Sequence, residues 1–301
     1  MRNRFIEDLE KQAEKNTSIT LVVGDLGYGV IEAFSNRFPD RFFNSGVAEQ
    51  NMMGFSAGLA SEGQHVFAYS IANFPIFRCA EQIRNDVCYH ELNVTVVAVG
   101  GGLAYGNLGY SHHAVQDYAF MRSLPNMIIM SPGDPNEVSH CINYICDNPG
   151  PSYLRLGKSG EKNYTNSDAR TSPGHLNFIV EENNARKAVV VTGSALQDVM
   201  SYFPDSGVRD FDILSCPIWG MGLTAQLSET LSKYDRVVTV EDHLLEAGFG
   251  SWVLEGLEPS LRNRLRTVGL NNNVCGMVGS QSLLNQRGGL SKDSIDSALV
   301  D

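Results

Sequence analysis

No apolar run in this chain approaches the ~20 residues that a helix needs to cross a bilayer. Basic residues are scarce as well: 23 Lys and Arg stand against 34 Asp and Glu, a formal charge of −11. The basic face that nucleic acid or an anionic membrane would require is therefore missing, which excludes both as partners. Six cysteines (79, 88, 141, 146, 216 and 275) never form a C-x-x-C pair, so they read as small buried hydrophobes and not as a disulfide frame or a metal site. His90-Glu91 starts no H-E-x-x-H, because Leu92, Asn93 and Val94 follow; no protein-only metal site is expected. Repeats and low-complexity tracts are absent. The opening "MRNRFIEDLEKQAEKN" is charged and periodic, an amphipathic helix and not a signal peptide or anchor. These absences leave an ordinary globular protein, expected in the cytoplasm.

What is present is an alternation of short β-branched runs and helical patterns. "SITLVVGD" (18–25), "HVFAYS" (65–70), "NVTVVAVGG" (93–101), "NMIIMSP" (126–132) and "PSYLRLG" (151–157) read as buried strands. Helical patterns fall between them at 46–62, 74–90, 115–123 and 134–146. Runs this apolar suit a parallel sheet covered on both faces, hence a layered α/β domain. A polar stretch then breaks the periodicity, and a second series follows with strands at 186–195, 210–216 and 235–243. The expected organisation is two αβα domains, 1–165 and 185–301, joined by a linker at 166–184.

Three local signals compete for the chemistry. Gly54-Phe55-Ser56-Ala57-Gly58 matches G-x-S-x-G, but a nucleophile elbow needs a strand running into its serine. Ser56 instead sits inside a helical pattern whose small residues let another element approach closely. "GMGLTA" (220–225), with Glu241 at the end of a later strand, fits a relaxed dinucleotide fingerprint. Pro217 and Trp219 separate its glycines from strand 210–216, so a plain loop-to-helix turn is the better reading. "GGGLAYGNLGYSHHAVQD" (100–117) places five glycines and the pair His112–His113 between a buried strand and a helix. Loops at the carboxyl ends of parallel strands are where such sheets bind ligands. At least one of these histidines is thus a functional candidate, although the loop alone names no reaction.

Glu49, in "FFNSGVAEQNMMGFSAGLASEG" (42–63), is the sharpest of the candidates. A glutamate in a first helical turn commonly does no more than meet the helix dipole, worth ~0.3–1 kcal/mol. Its neighbours, however, offer little charge to pair with it. A carboxylate held among apolar groups has a raised pKa and can share or donate a proton, which would suit a ligand nitrogen.

The segments "RFFNSGVAEQNMMGFSAGLASEG", "GGGLAYGNLGYSHHAVQDYAFMRSLPNMIIMSPGDPNEV" and "PSYLRLGK" together resemble the pyrimidine-binding domain of transketolases and 1-deoxyxylulose-5-phosphate synthases. "VVTVEDHLLEAGFGSWV" and "GSQSLLNQRGGLSKDSI" resemble the C-terminal domain of the same family. The family's diphosphate-binding domain has no counterpart, so the chain resembles the C-terminal subunit of a split transketolase. The resemblance implies thiamine diphosphate and Mg as cofactors, held mainly by an N-terminal partner subunit, with an α2β2 assembly and a small sugar or sugar phosphate as substrate. It implies that Glu49 bonds the pyrimidine N1′ and so promotes formation of the ylid. Phe74 and Phe77 in "NFPIF" become candidates to stack on the pyrimidine, and Asp25 lies close to the cofactor. The resemblance also implies that His112, with His113 beside it, faces the substrate and assists proton transfer.

Departures from the family fall on the substrate clamp. Leu108 replaces an aspartate that reads a hydroxyl, Gly29 and Gly100 replace a serine and a histidine, and Lys158 replaces a phosphate-binding arginine, with Arg155 nearby. The resemblance therefore leaves several readings open: ketol transfer, a 1-deoxyxylulose-5-phosphate-synthase-like condensation, the β subunit of a 2-oxo acid dehydrogenase, or a non-catalytic scaffold.

Overall fold

The computed structural model of the chain describes residues 1–169, 171–204 and 209–300. Its first half contains strands β1 (Ile19–Val23), β2 (Phe42–Asn44), β3 (His65–Ile71), β4 (Val94–Val99), β5 (Ile128–Met130) and β6 (Ser152–Leu156). Between them lie helices α1 (Arg2–Lys15), α2 (Glu32–Arg37), α3 (Glu49–Ser61), α4 (Asn73–Phe77), α5 (Ala80–Gln82), α6 (Asp117–Arg122) and α7 (Pro135–Asp147). The second half carries β7 (Asn177–Val180), β8 (Lys187–Val191), β9 (Phe211–Ser215), β10 (Ile218–Trp219), β11 (Arg236–Leu244) and β12 (Leu265–Leu270). Its helices are α8 (Ala195–Tyr202), α9 (Leu227–Leu231), α10 (Phe249–Gly256), α11 (Gln281–Gly288) and α12 (Lys292–Val300). No helix among the described residues is long and apolar enough to cross a membrane.

The first sheet has the order β10-β5-β6-β4-β3-β1-β2 and the second β12-β11-β8-β9-β7. Both are parallel except at one edge, where β10 and β7 run antiparallel. The fold is α/β, as the sequence pattern requires. Strands such as β1 (ITLVV) and β4 (VTVVAV) are buried at every position, since helices cover both faces of a parallel sheet. Helix α1 buries Phe5, Ile6, Leu9 and Ala13 on one stripe. Helix α7 starts where Asp134 accepts the amide of Glu137 at 2.8 Å, with Pro135 in its first turn.

Several elements differ from expectation. The 166–184 connector contains β7, which pairs with β9. The helix read across 74–90 breaks at Cys79, and Ile83–Cys88 is π-helical. The halves also interlock: β10, from the second half of the chain, pairs with β5 of the first sheet. Trp219 on β10 donates its indole N–H to the Thr192 hydroxyl at 3.1 Å, and its ring packs against Phe249 and Trp252.

Candidate functional site

The sheet order dictates where a site can form. Strands β6, β4, β3, β1 and β2 are consecutive neighbours, so the segments after their carboxyl ends lie side by side. These segments carry Lys158, the 100–113 loop, helix α4, Asp25 and Glu49 respectively.

Glu49 is the first residue of α3, after the N-cap Ala48. It is only 4% exposed, and Nη1 of Arg78 lies 2.8 and 2.9 Å from its two oxygens. The Arg78 guanidinium carbon also lies over Phe74, 4.2 Å from the ring centroid. Phe74 in turn meets His112 edge-on at 5.1 Å, and the Asn73 amide donates to the Ser111 carbonyl at 2.7 Å. His112 Nδ1 lies 3.0 Å from the Ser111 hydroxyl. Glu49, Arg78, Phe74 and His112 thus form one contiguous set drawn from three connections. Phe77 is exposed and its ring sits 6.4 Å from Phe120.

Asp25 holds a left-handed backbone, φ 56°, after β1. The Tyr28 hydroxyl donates to its carboxylate at 2.6 Å and the Asn44 amide at 2.9 Å, and these bonds hold its pKa below the usual carboxylate range. Gly29 is exposed, with φ 80°. Gly100 has no room for a side chain, because a Cβ there would strike the Tyr105 ring. The Lys158 ammonium lies 4.4 Å from the centroid of that same ring, and partial burial pulls its pKa down. Leu108 is 56% exposed in a 3₁₀ turn. Among the described residues, no three His, Cys, Asp or Glu side chains converge to hold a metal.

Residues 1–161 match the model of the transketolase pyrimidine-binding domain. The chain belongs to the transketolase family. It is 33% identical to the "Putative transketolase C-terminal section" of Methanocaldococcus jannaschii, covering 100% of this chain and 95% of that protein. It is 28% identical to one of the subunits of the apulose-4-phosphate transketolase of Actinobacillus succinogenes, covering 98% of this chain and 96% of that one. Against 1-deoxy-D-xylulose-5-phosphate synthase of Desulfitobacterium hafniense it is 31% identical, covering 95% of this chain and 46% of the longer enzyme. Among solved structures, a split-gene transketolase described as an inactive β4 tetramer superposes with a TM-score of 0.83 at 30% identity, covering 99% and 96%.

Within this transketolase-family fold, two expected ligand contacts are closed off. Arg155 is 2% exposed. Its Nε donates to Asp117 at 2.7 Å, Nη1 to Asp242 at 2.5 Å and Tyr118 at 3.0 Å, and Nη2 to the carbonyls of Ala114 and Asp242. It joins the two halves of the chain and faces no open site. His113 is 1% exposed under the glycine loop, with Nε2 3.4 Å from the Gly106 carbonyl oxygen. Gly102, φ 62°, shows why that loop is rich in glycine: a Cβ there would run into Asp242. The rejected motifs are structural too. Ser56 lies inside α3 and donates to the Met52 carbonyl at 2.8 Å. Glu241 accepts the amides of Phe249 and Gly250 at the start of α10, which leaves it no role toward a ribose.

Arg78 is the site residue that the sequence reading missed. The sequence neighbours of Glu49 offer it little charge, and the cation comes instead from 29 residues away. Tyr105 and Asn44 were missed for the same reason. Each acts on a neighbour that only the sheet order supplies.

Proposed function

We propose that this chain is the pyrimidine-binding subunit of a two-chain, thiamine-diphosphate- and Mg-dependent ketol transferase acting on sugar-type substrates. The observation that carries this reading is a nearly buried carboxylate, Glu49, bridged by Arg78 to the ring of Phe74 at the carboxyl edge of a parallel sheet. A flat ring with a hydrogen-bonding nitrogen matches that donor set: the acid meets the nitrogen and the aromatic side chain meets the face. The Arg78 guanidinium, also flat and N–H-bearing, already sits against both groups, so the residues fit an aminopyrimidine.

When bound, thiamine diphosphate supplies a nucleophilic carbon able to carry a two-carbon unit between carbonyl compounds. Glu49 would hold the proton at the pyrimidine N1′, and Phe74 would fix the tilt of the ring. His112, half-buried at the mouth of the glycine loop, would pass protons to and from a substrate oxygen. Lys158 above Tyr105 is the cation placed to attract a phosphorylated substrate. Diphosphate and metal are assigned to a partner chain in an α2β2 enzyme. The relative that is named as one subunit of a transketolase and the half-length match to the synthase favour that division. Exposed Val47, Phe55, Phe77, Leu108 and Tyr110 border these segments, as a surface awaiting a partner would.

The test is calorimetric titration of thiamine diphosphate and Mg²⁺ into this chain alone and mixed with the product of the neighbouring reading frame. Tight binding only in the mixture is expected. Glu49→Gln should leave assembly intact and abolish turnover; undiminished turnover would remove Glu49 from this role.

A further inference from the structure

The contact between Arg78 and Glu49 has a property that neither residue shows alone. Arg78 engages at once the two groups that the proposed function gives to the pyrimidine. Its Nη1 spans both Glu49 oxygens at 2.8 and 2.9 Å, and its guanidinium carbon Cζ lies over the Phe74 ring, 4.2 Å from the centroid. The other ring neighbour of Phe74 is His112, edge-on at 5.1 Å. A flat ring bonded to Glu49 and lying over Phe74 where the guanidinium now sits would have to take the place of Arg78.

The two partners are unequally held. Glu49 is 4% exposed and the Arg78 side chain 50% exposed, so the acid is fixed while the arginine reaches it from solvent. Glu49 is the only carboxylate with which Arg78 forms an ion pair among the described residues. A buried carboxylate without a donor is costly, and Arg78 supplies that donor from within the chain. A guanidinium is suited to the task because it is planar, donates N–H groups in its plane and stacks on aromatic faces. Arginine therefore reproduces the two recognition features of an aminopyrimidine with a side chain of the protein itself.

We propose that Arg78 is an internal pseudo-ligand: it occupies the Glu49–Phe74 site in the free subunit and must swing out to solvent for a flat heteroaromatic ligand to enter. This rests on the assignment of Glu49 and Phe74 to the pyrimidine. The device keeps the half-site closed and its buried charge satisfied until the ligand replaces the guanidinium. Ligand affinity is then reduced by the fraction of time the site is closed. A half-exposed ion pair reinforced by a cation–π contact favours the closed state by a factor of roughly 5–30.

The experiment measures thiamine diphosphate affinity, with Mg²⁺, by calorimetry on the two-chain enzyme formed with the neighbouring gene product, for wild type, Arg78→Met, Arg78→Lys, Glu49→Gln and the double variant Arg78→Met with Glu49→Gln. Arg78→Met should bind roughly 5–30-fold more tightly, because the competitor is gone. Arg78→Lys keeps the charge but loses the plane, and should fall between the two; its folding also serves as a check on the Met variant. If both Arg78 variants bind as wild type does, or more weakly, while Glu49→Gln binds more weakly, the pseudo-ligand is refuted and the site assignment stands. If Glu49→Gln added to Arg78→Met binds as tightly as Arg78→Met alone, the site assignment fails and the pseudo-ligand fails with it.

Discussion

Arg155→Met should be among the most damaging single changes in this protein. The guanidinium lies between Asp117 and Asp242, which are 0% and 1% exposed, and donates five hydrogen bonds, two of them to carbonyls. Methionine roughly fills the volume but strands two buried carboxylates. Asp117 Oδ1 already lacks a partner, although Oδ2 keeps the Tyr153 hydroxyl at 2.6 Å. Asp242 keeps the Ser194 hydroxyl at 2.8 Å. Breaking a buried pair by removing one partner costs about 3–5 kcal/mol, and two stranded acids place this case at about 4–5 kcal/mol. For a chain of this size that is roughly 8–15 °C in Tm. The assay is urea denaturation of the variant and of the triple variant that also carries Asp117→Asn and Asp242→Asn. If stranded charge is the cause, the triple variant recovers most of the loss despite carrying more substitutions. A loss below about 1 kcal/mol in the single variant, or a triple variant no more stable than the single, would refute the electrostatic account of how the two halves are held.

Ser56→Ala should leave activity unchanged and stability within about 1 kcal/mol, since it deletes one intrahelical bond to Met52; a turnover assay and a thermal melt check it, and a collapse of activity would revive a serine mechanism. His65→Phe tests a pH effect. His65 is 2% exposed, stacks on Phe67 at 4.7 Å and has an unpartnered Nε2, and burial pushes its pKa down to about 4. A folded pKa depressed below the unfolded ~6.5 means that the unfolded chain binds the proton first. Its stabilising contribution is complete above pH 6.5 and is lost as the pH falls to 4. The Phe variant should accordingly gain about 3 kcal/mol relative to wild type between pH 6.5 and 4, read from urea midpoints at several pH values. A difference that stays flat with pH would show that His65 protonates equally in both states.

The contrast between Glu49 and Arg155 explains how much of this protein could be read from its sequence. Local composition carried what is local. The strands β1, β3 and β4 are legible because β-branched runs buried on both faces allow no other reading, and Glu49 stands out because its own neighbours carry no charge. β2 was missed because three residues at a sheet edge, two of them exposed, leave no pattern. The charged partners were illegible for a different reason. Arg78 lies 29 residues from Glu49 and reads as an ordinary helix-surface cation. The acids around Arg155 lie 38 and 87 residues away. Distance along the chain hid both pairs: the neighbours of Glu49 show little charge, and Arg155 reads as a candidate for a ligand. The sheet order resolves both, because it brings α4 against the start of α3 and sets β6 under the loop that the second half of the chain covers. The two arginines then differ in exposure and in the number of groups that hold them. Arg155, closed in from all sides, can only be structural, while Arg78, half in solvent and bonded to a buried acid, is the one able to move.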